Sequence, residues 1–237
     1  GFESLLRYPA GPLHVLRSAA MLRAILFDLD GILADTERES AEALRRVLAR
    51  RGHVMTAEEI EFVIGHSWRQ IHELLVRHHG PSLPPLEEVI AESAAEREVV
   101  LRDQGMTVMP GARDVPRRLA ARFPLAIVSG SSRREASFAL ERLGVRDLFR
   151  VVLAAEDYAP GKPSPAGYLL AAERLGAAPS ECLVIEDSAA GIAAGRAAGM
   201  RVIAVAAGNF ARQDQSAADA VVATLEAIDD GLLARLF

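Results

Sequence analysis

The chain has 237 residues, half of them apolar and a quarter charged, with a net charge of −5. That length buries one large core, or one core with a small second domain. The acidic balance leaves no electrostatic footprint for nucleic acid or an anionic membrane, and no apolar run approaches the roughly 18 residues of a spanning helix.

Residues 1–20 carry Arg7 and Arg17 against Glu3, and Met21 stands just before the first apolar run. With neither a continuous apolar stretch nor an amphipathic face, they are expected to be an N-terminal extension outside the fold. The apolar run over 23–30 then reads as a strand that ends in Asp28 and Asp30, with Gly31 next. Residues i and i+2 of a strand share a face, so the two carboxylates project together. They repel unless a cation lies between them or one keeps a proton, and the simplest such cation is Mg²⁺. An Asp-Gly turn chosen for backbone reasons alone explains the same residues.

Residues 37–107 carry no convincing strand but several helix starts. Thr36 with Glu39, Thr56 with Glu59 and Ser67 with Gln70 each fit a capping box. Pro81, Pro84 and Pro85 punctuate the stretch, and Pro110-Gly111 closes it. An all-helical cap is therefore expected over 37–107, inserted between the first and second strands and lying above the Asp28 end. Residues 21–36 and 108–237 form the core.

Further short apolar runs follow at 125–130, 150–155, 182–187 and 201–206, with a weaker one at 220–223, and most lead into an amphipathic helix. Continuous apolar strands alternating with helices predict an α/β fold, a Rossmann-like parallel sheet with helices on both faces. Ligands in such sheets bind beyond the carboxyl ends of the strands. Cys182, the only cysteine, excludes an intrachain disulfide, reads as buried strand, and points to a reducing cytoplasm.

The strand ends share a pattern. The first gives Asp28 and Asp30, the second Ser129-Gly130-Ser131-Ser132, and the fourth Glu186-Asp187, while the loop after the third holds Lys162. Each has an ordinary structural explanation: Ser129 and Ser132 as caps of one helix, Asp187-Ser188 as the cap of the next, Lys162 as a loop lysine, Glu186 beside Asp187 as a solvated pair. Four tips carrying such groups together instead suit a phosphoryl group, held by helix N-terminal N–H groups, a lysine and a metal.

On these residues the chain resembles the haloacid dehalogenase superfamily, in its helical-cap branch of phosphatases and phosphomutases. Asp28 to Glu37 match the first motif, Ile127-Val128-Ser129 the second, Gly161 to Pro165 the third, and Glu186 to Met200 the fourth, with Gly195 where alanine is usual. The resemblance implies that Asp28 is a nucleophile forming an aspartyl-phosphate and Asp30 the general acid, then base. It implies Mg²⁺ on Asp28, the Asp30 carbonyl and Asp187, assisted by Glu186. Ser129 and Lys162 would hold the phosphoryl oxygens, beside Gly130 and Ser131. From the cap, Glu37, His66 and Arg69 are the candidate substrate contacts, with Arg38, Trp68 and His72 also facing the cleft. β-Phosphoglucomutases carry a histidine where Ser40 stands and an arginine where Trp68 stands, and losing a bidentate phosphate donor is a large change.

The expected function is a Mg²⁺-dependent phosphatase acting on a small phosphorylated metabolite. A β-phosphoglucomutase-like phosphomutase is the alternative. A phospho-acceptor receiver module would share the acids, hydroxyl and lysine but has no helical insertion. A monomer is expected, with a weak dimer as the other state.

Overall fold

The computed structural model describes residues 21–237 except Thr36, Gly65, Ser67 and Ala211; the side chains of Glu37 and Gln104 are also outside the description. The extension expected at 1–20 therefore lies outside the described residues.

Six short strands form one parallel sheet: β1 (Ala24–Phe27), β4 (Leu125–Val128), β5 (Phe149–Leu153), β6 (Cys182–Glu186), β7 (Arg201–Val205) and β8 (Ala220–Val222). They lie in the order β5-β4-β1-β6-β7-β8. Each of the six apolar runs is one of these strands. All four residues of β1 are buried to 0% exposure, because helices cover both faces of the sheet. Alternate residues feed two cores. Ile25 and Phe27 pack with Leu119, Leu140 and Leu233 on one face. Ala24 and Leu26 pack with Tyr168, Ala171 and Ile192 on the other. The helices are α5 (Asp114–Ala120), α6 (Arg133–Leu143) and α9 (Asp230–Leu236) on the first face, and α7 (Ala166–Leu175) and α8 (Ala189–Ala197) on the second. Because every strand runs the same way, all six tips meet at one edge.

Between β1 and α5 the described residues make four helices: α1 (Glu37–Arg50), α2 (Ala57–Val63), α3 (Trp68–His79) and α4 (Leu86–Gln104). They bury a cluster of their own, including Ala41, Leu44, Leu48, Ile71, Leu75 and Val89. The capping box at the start of α2 is formed, with Thr56 and Glu59 each accepting from the other's backbone N–H. One element differs from expectation. β2 (Ala34–Asp35) and β3 (Thr107–Val108) pair antiparallel at the root of the insertion. Two residues per strand are too few to carry an alternation, so this ribbon has no periodic signature.

Leu44 is fully buried among these helices. Leu44→Ala is expected to destabilise the protein by about 2–5 kcal/mol, read as a lower midpoint in urea unfolding. A loss below about 1 kcal/mol would show that the helices do not depend on this cluster.

Candidate active site

Asp28 follows β1 directly, and its N–H donates to the Ile185 carbonyl at 2.9 Å, which locks it to β6. Its carboxylate accepts from the Lys162 ammonium. Lys162 Nζ also donates to Glu186 Oε1 at 2.6 Å. Glu186 is buried to 0% exposure and accepts four more hydrogen bonds. They come from the Tyr168 hydroxyl at 2.8 Å, the Asp187 and Ser188 N–H groups, and the Ser188 hydroxyl.

This asymmetry decides which acid keeps its charge. Burial opposes ionisation of Glu186, but Lys162 and the surrounding donors outweigh it and hold the carboxyl below its usual range. Lys162 is buried too, yet the two carboxylates push its pKa well above the ordinary value. Asp28 has the lysine and little else. Burial therefore dominates and raises its pKa to about 8, with Lys162 opposing and Glu186 and Asp30 adding to the rise.

The Asp30 carboxylate turns the other way. It accepts from the Ser131 hydroxyl at 2.7 Å and the Ser129 hydroxyl at 3.3 Å. Its pKa is raised, chiefly by burial, with the Ser131 hydrogen bond opposing. Ser129 Oγ in turn accepts from the Ser131 N–H at 3.0 Å. The loop after β4 thus hands its hydroxyls to Asp30, and Ser132 caps α6.

Asp28, Glu186 and Asp187 each bring a carboxylate oxygen within 4.8 Å of the others, the arrangement of a site for a hard divalent cation. The residues fit such an ion: the donors are all oxygen, and among the described residues the buried Asp28 carboxyl has no charge partner except Lys162 to hold it ionised. Asp28 and Asp187 line the cavity described below, which Glu186 does not, so they are the better-placed donors. The Asp30 carboxylate is not part of the cluster.

Two glycines make the approach possible. Gly31 has φ +76°, and a Cβ there would lie 2.2 Å from Asp187 Oδ2. A Cβ on Gly191 would lie 1.7 Å from Glu186 Oε1. Any side chain at 191 evicts a carboxylate that holds five hydrogen bonds.

Above these tips lies a cavity of about 360 Å³ between the sheet edge and the inserted helices. Asp28, Asp30, Gly130, Ser131, Lys162 and Asp187 line it from below, and His66, Trp68, Ile71 and Arg97 from above. Ser129 is fully buried beneath it. His66 stacks on Phe62, with ring centroids 3.8 Å apart. Arg69 is not brought into the cleft. It is exposed, and the helix turns it about 100° away from Trp68, which shares the inner face of α3 with Ile71. His72 is tied to the Pro84 carbonyl at 2.8 Å, within the helical layer. The Glu37 side chain lies outside the described residues. Arg97, Glu135 and the loop through Phe210 also line the cavity, outside the motifs that mark the other site residues in the sequence. The Arg38 guanidinium lies 4.6 Å from the Phe210 ring centroid and ties that loop to α1.

Gly191→Ala is expected to cost about 1–3 kcal/mol by overpacking against Glu186. Gly130→Ala, with open space at its Cβ position, stays within about 0.5 kcal/mol. Urea midpoints of the two variants compare them, and equal midpoints would contradict the packing described.

The sequence from residue 22 to residue 199 matches the family described as haloacid dehalogenase-like hydrolase. It is 34% identical over 185 residues to fructose-1-phosphate phosphatase YqaB of Escherichia coli K12, covering 76% of this chain and 95% of that protein. It is 36% identical over 186 residues to hexitol phosphatase A of the same organism, covering 77% and 82%. Among solved structures, CbbY from Rhodobacter sphaeroides in complex with phosphate is similar with a TM-score of 0.73 at 26% identity, covering 86% of this chain and 95% of that one. With a parallel sheet whose polar tips converge and a family match over most of its length, the chain belongs to the haloacid dehalogenase-like hydrolases, beside relatives named as phosphatases.

Proposed function

We propose that the protein is a Mg²⁺-dependent phosphatase that releases phosphate from a small phosphorylated metabolite, a sugar phosphate or similar, through an aspartyl-phosphate on Asp28. The observation that carries this reading is the pairing of two buried acids with opposite surroundings. Asp28 faces Lys162, whereas Asp30 is hydrogen-bonded to hydroxyls and held toward its protonated form.

In this reading an Asp28 carboxylate oxygen attacks phosphorus, and the bond to the leaving oxygen breaks. Asp30 delivers its proton to that oxygen. It then takes a proton from the water that attacks the acyl phosphate, which regenerates Asp28 and frees phosphate. Lys162, Ser129, the Ser131 hydroxyl and the Gly130–Ser131 backbone hold the phosphoryl oxygens near the α6 N-terminus. Mg²⁺, held by Asp28, the Asp30 carbonyl and Asp187 with Glu186 behind them, would offset the repulsion between carboxylate and phosphate dianion. We further propose that 37–107 acts as a cap over a core of 21–36 and 108–237, excluding bulk water. His66 touches substrate from the cap, and Glu37 is a further candidate there. The site has the size of a metabolite, and the protein works as a cytoplasmic monomer.

A phosphomutase needs a second phosphate grip to turn its bisphosphate intermediate around. Ser40 and Trp68 supply no charge, and Arg97 is already paired with Glu135. That balance favours release over transfer.

Asp28→Asn is nearly isosteric and leaves the strand packing intact. It is expected to lower turnover at least about 10³-fold with an unchanged circular dichroism spectrum. More than about a hundredth of the original activity, once deamidation is excluded, would contradict covalent catalysis at Asp28.

The metal is tested through stability as well as rate. Folded Asp28 binds its proton up to about pH 8, well above the ordinary 3.8 of an aspartate. Its contribution in the metal-free protein is therefore complete at low pH and is lost as pH rises through about 8. Mg²⁺ needs the ionised carboxylate, so the rise in Tm that it produces should grow between about pH 5 and pH 8. Activity should vanish in EDTA, return with Mg²⁺ and not with Ca²⁺, whose longer bonds and higher coordination misplace the nucleophile. A Tm rise independent of pH, or full activity in EDTA, would remove the metal from the account.

A further inference from the structure

Arg97 lies on α4 at a buried position, 8% exposed, and its Nη1 donates to Glu135 Oε1 at 2.5 Å. Glu135 belongs to α6 and is itself fixed, since Ser132 donates to its Oε2 from both N–H at 2.9 Å and Oγ at 2.7 Å. The pair thus joins the inserted helices to the core across the cleft. The buried Arg97 Nε–H has no acceptor. Both residues line the cavity that holds Asp28 and Asp30, and the charges of both reach the Asp30 carboxyl.

Asp30 is the group that meets the leaving oxygen in the reading above, so the leaving group lies against this pair. We propose that Arg97 and Glu135 together select a neutral, hydroxylated leaving group and reject one that carries a second phosphate; this rests on the phosphatase reading of the site. A hydroxyl matches the pair on both sides, because its oxygen can accept from Arg97 and its proton can be given to Glu135. A second phosphate gains nothing from an arginine whose charge is already compensated, and its dianion meets the Glu135 carboxylate. Arg134, the next cation along the seam, is likewise paired, with Glu98.

Glu135→Gln separates the two effects. Glutamine still accepts from Ser132 and keeps the capping box, but leaves the Arg97 charge uncompensated. The unmodified protein is first assayed with p-nitrophenyl phosphate, whose activated leaving group departs with little help from the residues around it; failure there refutes the phosphatase reading itself. Inhibition constants of fructose 1-phosphate and fructose 1,6-bisphosphate against that hydrolysis then report binding whether or not either compound turns over. The unmodified protein should favour the monophosphate, and Glu135→Gln should shift the ratio toward the bisphosphate by about tenfold or more. An unchanged ratio, or inhibition by neither compound, overturns the proposal while leaving the phosphatase reading in place. Should Glu135→Gln fail to fold, Arg97→Gln carries the test. Its inhibition constant for fructose 1-phosphate should rise about tenfold, and a value within about twofold of the original overturns the proposal.

Discussion

Lys162 held between Asp28 and Glu186 is the contact on which the rest of the site depends. Buried carboxylates at one sheet edge are unstable unless each finds a cation or enough donors. The chain resolves this unequally. Glu186 receives five hydrogen bonds, including that of the Tyr168 hydroxyl, and stays ionised. Asp28 receives the lysine and is left short of charge compensation. In the proposed reaction that deficit is useful, because a carboxylate surrounded by donors is a poor nucleophile, whereas Asp28 remains open to the cavity.

The supporting structure follows from that arrangement. Gly31 and Gly191 are small because Asp187 and Glu186 occupy the space where their side chains would be. Tyr168, fully buried, carries its hydroxyl from α7 to Glu186, and its ring centroid lies 5.2 Å from Lys162 Nζ, so one residue of the sheet's second core also braces the charge network. Cys182, at the far end of the same strand, shows the contrast. Burial pushes its thiol up to about 12, and it is inert packing. A strand that begins as core thus ends in chemistry, and Asp30, two residues beyond Asp28, is set apart from it by the hydroxyls of the next strand's loop.

Much of this was legible because the signals are local. Apolar runs that stop at Asp28, Ser129 and Glu186 mark strands and tips at once, and parallel connectivity brings the tips together. The helical layer was legible from its start signals, of which Thr56 with Glu59 is formed as read. The ribbon of Ala34–Asp35 with Thr107–Val108 was not, since pairs of two residues carry no period. Arg97 was hidden for another reason. Val89, Ser93, Arg97 and Val100 share the buried stripe of α4, and a charged residue on such a stripe reads as an irregularity until the partner, Glu135, is seen on a helix of the core. Arg69 illustrates the converse error. Adjacency to Trp68 in sequence is a large rotation on a helix, so a residue one place from the cleft faces solvent. The loop at Gly208–Phe210 follows the tip of β7, and the rule that strand ends carry the site extends to it.

The central claim is that phosphate leaves in two displacements, the first by Asp28 and the second by water. Stereochemistry at phosphorus tests it without relying on accumulation of an intermediate. A phosphate monoester made chiral with oxygen isotopes, transferred by the protein to an added alcohol acceptor, should emerge with net retention of configuration, because each in-line displacement inverts once. Net inversion would mean a single direct displacement and would contradict the role given to Asp28.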